Sequence, residues 1–299
     1  MSLNPSSFIW GGAGRRAQRT LLNIDGRFVR IHRIGAPPPG LNRLRIDAVG
    51  DDRVTFVLIH GIGLSSTYMT PLAEELAEYG EVFIMDLPGA ASLPSPGDPL
   101  SISGFAALVD AAMTLNGIQD PILVGHSMGA QIVVELMARR PDHFRRACLI
   151  GPPVNAAERN LPLLVVNYLR SALFEEVELV RVATLSYLRS AHYWVMKTLP
   201  TLMKYPIEER MALVGDEARV IILHGEHDYL VPTAWADYLA SQATNATCIL
   251  IPGAAHSTIY SDDDDVAAAA LSLLTTAERE AGAPKSGARK SQRARNAHD

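Results

Sequence analysis

Apolar residues in this chain gather into short runs separated by stretches with helical spacing, rather than alternating one by one with polar residues. Residues 54–59 make up one such run, the pattern of a strand covered on both faces. Further strands are expected over 82–85, 122–124, 147–150, 220–223 and 248–251, with helices over 71–79, 102–115, 130–139, 233–242 and 266–274. Upstream, 27–33 and 44–49 read as two more strands, joined by the turn-rich 35–40 and paired antiparallel, after about twenty irregular residues. Strand and helix in alternation predict an α/β fold: a mostly parallel, twisted sheet of about eight strands with helices on both faces.

Gly151-Pro152-Pro153 interrupts that rhythm. From there to Gly215 the periodicity is helical, as at Leu163, Val166, Leu169 and Leu173, with almost no strand signal. The expected organisation is one core in two parts, 1–151 and 216–279, separated by an inserted helical cap, 152–215. From Glu280 onward the chain is rich in Ala, Gly, Ser, Lys and Arg and lacks large apolar side chains, so 280–299 reads as a disordered basic tail.

With 299 residues, 48% hydrophobic and 20% charged, the composition is that of a globular protein with ample core. The tail holds Lys285, Arg289, Lys290, Arg293 and Arg295 against Asp299, so the rest is more acidic than the formal net charge of −5. That balance argues against nucleic acid as a partner of the folded body. Cys148 and Cys248 fall on strands expected two places apart, beyond disulfide reach, which points to free thiols and a cytoplasmic setting. The first residues carry no secretory pattern and no window is apolar enough to span a membrane. The acidic run Asp262 to Asp265 suits the positive end of a helix better than a cation site.

The chemistry centres on Gly125-His126-Ser127-Met128-Gly129, a G-x-S-x-G pattern between an apolar run and a helical stretch. A serine on so sharp a turn is presented at the end of the sheet, and side chains at the flanking positions would strike the neighbouring strand or helix. A serine hydroxyl needs a base to take its proton and a carboxylate to orient that base. Two later strand ends provide these groups on the same edge: Asp228 after 220–223, and His256 after 248–251. Glu226 and Glu158 are the rival acids. His224, Glu226, His227 and Asp228 form a single loop cluster that does not amount to a metal site.

With these residues in chain order Ser, Asp, His, the sequence resembles the α/β-hydrolase family over roughly residues 28–274. The resemblance implies Ser127 as nucleophile, His256 as base and Asp228 as its partner. His60-Gly61-Ile62-Gly63 is similar to the family's oxyanion loop and Asp86-Leu87-Pro88-Gly89 to its next turn, which implies the amides of Ile62 and Met128 as oxyanion donors and His60 as a brace. It also implies a serine hydrolase acting on a carboxylic ester or related acyl substrate, without metal or organic cofactor. Epoxide and haloalkane hydrolases of the fold carry aspartate where Ser127 stands. Carbon–carbon hydrolases of diketone-like compounds usually carry tryptophan where Ser257 stands, which ranks them second, beside a non-catalytic binding protein of the same fold. A cap inner face rich in Leu, Val and Met, with Tyr193 and Trp194, suggests a small-molecule substrate with a hydrophobic moiety.

Overall fold

The computed structural model describes residues 6–10, 15–35, 54–155, 159–175, 181, 192–276 and 278. The strands are β1 (Ser6–Trp10), β2 (Arg15–Ile24), β3 (Arg27–Ile34), β4 (Val54–Ile59), β5 (Gly80–Asp86), β6 (Ile122–His126), β7 (Arg146–Ile150), β8 (Arg219–Gly225) and β9 (Ala246–Ile251). The helices are α1 (Thr70–Leu76), α2 (Ile102–Leu115), α3 (Met128–Arg139), α4 (Leu161–Ala172), α5 (His192–Lys204), α6 (Ile207–Met211), α7 (Thr233–Ala240), α8 (Thr258–Ser261) and α9 (Asp263–Ser272).

All nine strands form one sheet in the order β1-β2-β3-β5-β4-β6-β7-β8-β9. The pairings from β5 to β9 are parallel, and those of β1, β2 and β3 are antiparallel. This is the mostly parallel α/β sheet expected, extended at one edge. The extension corrects the irregular start: residues 6–10 and 15–24 are strands. β2 and β3 join through Asp25 and Gly26, at φ 49° and 79°, a two-residue turn that matches strand twist. The antiparallel partners of β3 are β2 and β5. The strand expected at 44–49 lies outside the described residues, as does the 280–299 tail.

Side chains alternate across the sheet, so each central strand feeds two cores. Val57, Ile59, Leu123, Leu149 and Ile222 pack on one face with α2, α3, α6 and α7. Phe56, Leu58, Val124 and Ile150 pack on the other with α1 and α9. Cys148 belongs to the second face, whereas Cys248 packs against the first, with β8 between their strands; both are free cysteines. Asp263, Asp264 and Asp265 occupy the first turn of α9, where the dipole favours them. Among the described residues no helix is long and apolar enough to cross a membrane.

The chain leaves β4 toward β5 on one side and later enters β6 on the other, which opens a crevice between the carboxyl ends of β4 and β6. Asp86, at the end of β5, secures this rim. One carboxylate oxygen accepts from Nε2 of His32 at 2.9 Å, and the other from the backbone N–H of Ser66 at 2.7 Å. Burial alone would raise its pKa, but the His32 hydrogen bond and charge, His60 and the Ser66 amide outweigh it and hold Asp86 at about 2. The unfolded carboxyl binds its proton at higher pH than the folded one. The resulting stabilisation, about 2 kcal/mol, is therefore present above about pH 4 and lost as pH falls toward 2. Asp86→Asn should remove most of that acid dependence, as read from urea midpoints across this range.

Candidate active site

His126 is the last residue of β6 and Met128 the first of α3, so one residue makes the turn between them. That residue, Ser127, sits at φ 54° and ψ −118°, a left-handed conformation that costs an L residue about 1–3 kcal/mol. Its glycine neighbours make the turn possible. A Cβ on Gly125 would strike the carbonyl of Gly129, and one on Gly129 would strike that of Ile59. The N–H of Ser127 donates to the carbonyl of Ile150 at 2.9 Å, which ties the turn to the end of β7.

The loop after β4 lies against this turn. A Cβ on Gly61 would stand 3.1 Å from both the Cβ of Ser127 and Nδ1 of His126. Ile62 follows on that loop, and Met128 opens α3, where a backbone N–H has no acceptor within its own helix. His60 holds the loop from behind, as expected: Nε2 accepts from the N–H of Leu87 at 3.1 Å, so Nδ1 carries the proton given to the carbonyl of Gly61 at 2.7 Å. Burial lowers its pKa despite the opposing pull of Asp86 and that hydrogen bond, which favours this neutral tautomer.

Asp228 lies just beyond β8 and is buried. Oδ1 accepts from the N–H groups of Leu230 at 3.0 Å and Val231 at 3.2 Å, leaving Oδ2 to accept from Nδ1 of His256 at 2.8 Å. His256 and Ser127 line one cavity of about 540 Å³. Burial would lower the imidazole pKa, but the charge and hydrogen bond of Asp228, with the charge of Glu175, outweigh it and raise it. Among the rival acids, Glu226 is exposed and accepts from the N–H of Gly253 at 2.8 Å, and Glu158 lies outside the described residues. His227 stacks on Phe174 at 4.1 Å, away from the buried His224. Among the described residues no metal-ligating cluster forms.

Three further residues contribute. Gly151, which interrupts the rhythm of strand and helix, has φ 52°, and a Cβ on it would come within 3.0 Å of Cε1 of His256 and 3.3 Å of Oδ2 of Asp228. A glycine immediately after a strand at the carboxyl edge was the available signal. His126, within the pentapeptide, donates from Nε2 to the backbone carbonyl of His256 at 3.1 Å, and burial and the nearby His256 push its pKa well down. Glu175 reaches the cavity and accepts the N–H of Ser257 at 2.9 Å; no motif announces it. Leu164, Val165, Leu199 and Leu202 from α4 and α5 line the cavity, and buried Trp194 packs on Gly89. Tyr193 corrects the expected inner face: it is 72% exposed, with Lys197 over its ring, because it falls on the outer side of α5.

A serine turn at the switch point of a doubly wound parallel sheet, with an imidazole and carboxylate pair at the same rim, defines a class of α/β proteins. The chain belongs to the Alpha/beta hydrolase family, which matches residues 56–269. It is 26% identical over 239 residues to the biotin biosynthesis bifunctional protein BioHC of Cellvibrio japonicus, across 70% of this chain and 45% of that protein. The chain therefore spans less than half the length of that relative. It is 23% identical over 240 residues to the pimeloyl-[acyl-carrier protein] methyl ester esterase of Xanthomonas campestris pv. campestris (strain B100), across 72% of this chain and 92% of that one. Est816, a solved N-acyl homoserine lactone degrading enzyme, superposes with a TM-score of 0.71 at 15% identity, over 85% of this chain and all of that one, a likeness of fold alone.

Gly151→Ala should push the His256 and Asp228 side chains apart and strain the backbone. The expected result is a loss of at least about 1 kcal/mol of stability and a fall in kcat/KM of about tenfold or more, measured by denaturant titration and steady-state kinetics.

Proposed function

We propose that this protein is a serine hydrolase that cleaves a carboxylic ester or related acyl bond through an acyl-enzyme. The observation that carries this reading is the 2.8 Å pairing of His256 Nδ1 with Asp228 Oδ2 on the cavity wall that also holds Ser127. Asp228, anchored by two backbone N–H groups, keeps the imidazole proton on Nδ1 and leaves Nε2 as the base. Ser127 Oγ bonds to the substrate carbonyl carbon while its proton passes to Nε2. The carbonyl oxygen becomes an oxyanion, received by the amides of Ile62 and Met128, each such donor being worth on the order of 3 kcal/mol. His256 returns the proton to the departing alcohol as the bond to it breaks. Water then gives a proton to His256 and attacks the acyl carbon, and Ser127 leaves with that proton restored.

In the proposed cap, 152–215, the leucines and valines of α4 and α5 line this centre and make it fit a small molecule with a hydrophobic moiety. The relatives named as methyl ester esterases support an ester as the bond cleaved. Ser257 stands where the carbon–carbon branch has tryptophan, which keeps that chemistry second. The free cysteines fit a reducing, cytoplasmic setting.

A fluorophosphonate probe should label the wild type at Ser127 and leave Ser127→Ala unlabelled, with esterase kcat reduced on the order of 10⁶-fold; labelling of Ser127→Ala would end the proposal. Because His256 must be neutral to act and Asp228 and Glu175 raise its pKa, the acid limb of kcat/KM should lie above the ordinary imidazole value of about 6.5. Asp228→Asn should move that limb down and cost about 10⁴-fold in kcat.

A further inference from the structure

We propose that Glu175 makes this site reject acyl groups that carry a negative charge near the scissile carbonyl, so that its substrates are esters with an uncharged acyl chain. The inference rests on the serine hydrolase reading and narrows its substrate class.

Glu175 follows α4 and is the one carboxylate among the described residues that line the cavity, which has no lysine or arginine among them. Its position within that cavity is set by Ser257, whose N–H donates to Oε1 at 2.9 Å. Ser257 directly follows His256, so the carboxylate stands at the reacting end and not at the far apolar end between α4 and α5. Its charge is felt there, since Glu175 and Asp228 both raise the pKa of His256. Burial pushes the Glu175 carboxyl up, while Ser257 and His256 oppose that change.

An entering acyl chain must lose its water. A neutral chain gives up little and meets Leu164, Leu199 and Leu202. A chain bearing a carboxylate gives up a strongly hydrated charge, finds no cation among these residues, and meets a second anion where field lines are poorly screened. The two carboxylates cannot share the end of the cavity without one of them taking up a proton. Discrimination by an unpaired charge is stronger than discrimination by one methylene, because the desolvation it leaves uncompensated exceeds what a methylene carries.

Dimethyl succinate and monomethyl succinate form a matched pair, with the same short chain and the charge beside the scissile carbonyl masked or bare. Their hydrolysis, followed by methanol release at about pH 8, well above ordinary carboxyl values, gives the ratio of kcat/KM. The wild type should favour the dimethyl ester by at least about tenfold beyond the twofold statistical advantage. Glu175→Gln, which keeps an oxygen acceptor for the Ser257 amide, should lower that ratio about tenfold. Glu175→Asp, which keeps the charge, should retain it. A wild type that takes both esters equally, or a ratio unmoved in Glu175→Gln, overturns the inference while leaving the hydrolase reading intact. A wild type that turns over neither ester and resists the fluorophosphonate probe overturns the hydrolase reading, and the inference with it.

Discussion

The left-handed backbone of Ser127 is the constraint on which the rest of the site depends. A strand that ends at one residue and a helix that begins two later leave no room for relaxation, so the turn persists only because its surroundings over-determine it. Gly125 and Gly129 let β4, β6 and α3 approach to contact, the Ile150 carbonyl holds the Ser127 amide, and Gly61 lets the β4 loop close against the serine. These contacts come from the ends of β4, β6 and β7. The strain at one residue is thus borne by three neighbouring strand ends at the carboxyl rim.

That rim is braced by buried polar groups. Asp86 gathers His32 from β3 and the Ser66 amide from the segment after β4, while His60 links the Gly61 carbonyl to Leu87. His126, the residue before Ser127, ties the end of β6 to the loop after β9 through the carbonyl of His256. His60 and His126 are buried and burial lowers their pKa values, whereas that of His256, buried beside two carboxylates, is raised. The same side chain serves as scaffold or as base according to what its neighbours do to its charge.

The strands 54–59, 122–124, 147–150 and 220–223 were legible because central parallel strands are buried on both faces and read as unbroken apolar runs. Ser127 and Asp228 were legible because each follows such a run on one edge, and His256 because it follows the apolar stretch 248–251, although that edge strand is largely exposed. The two outermost strands on one side, β1 and β2, were not: Arg15–Ile24 mixes arginine, glutamine and threonine, as a strand half open to water does, and no apolar run marks it. The Asp25-Gly26 turn was its only local sign. Gly151 and Glu175 stayed hidden for a different reason. Their importance lies in contacts with residues far along the chain, which no periodicity encodes.

The hydrogen bond from the Ser257 amide to Glu175 couples selectivity to turnover. It fastens the loop that carries His256 to the residue that follows the cavity-lining helix α4, so rebuilding that stretch to admit a different substrate would also replace an anchor of the imidazole.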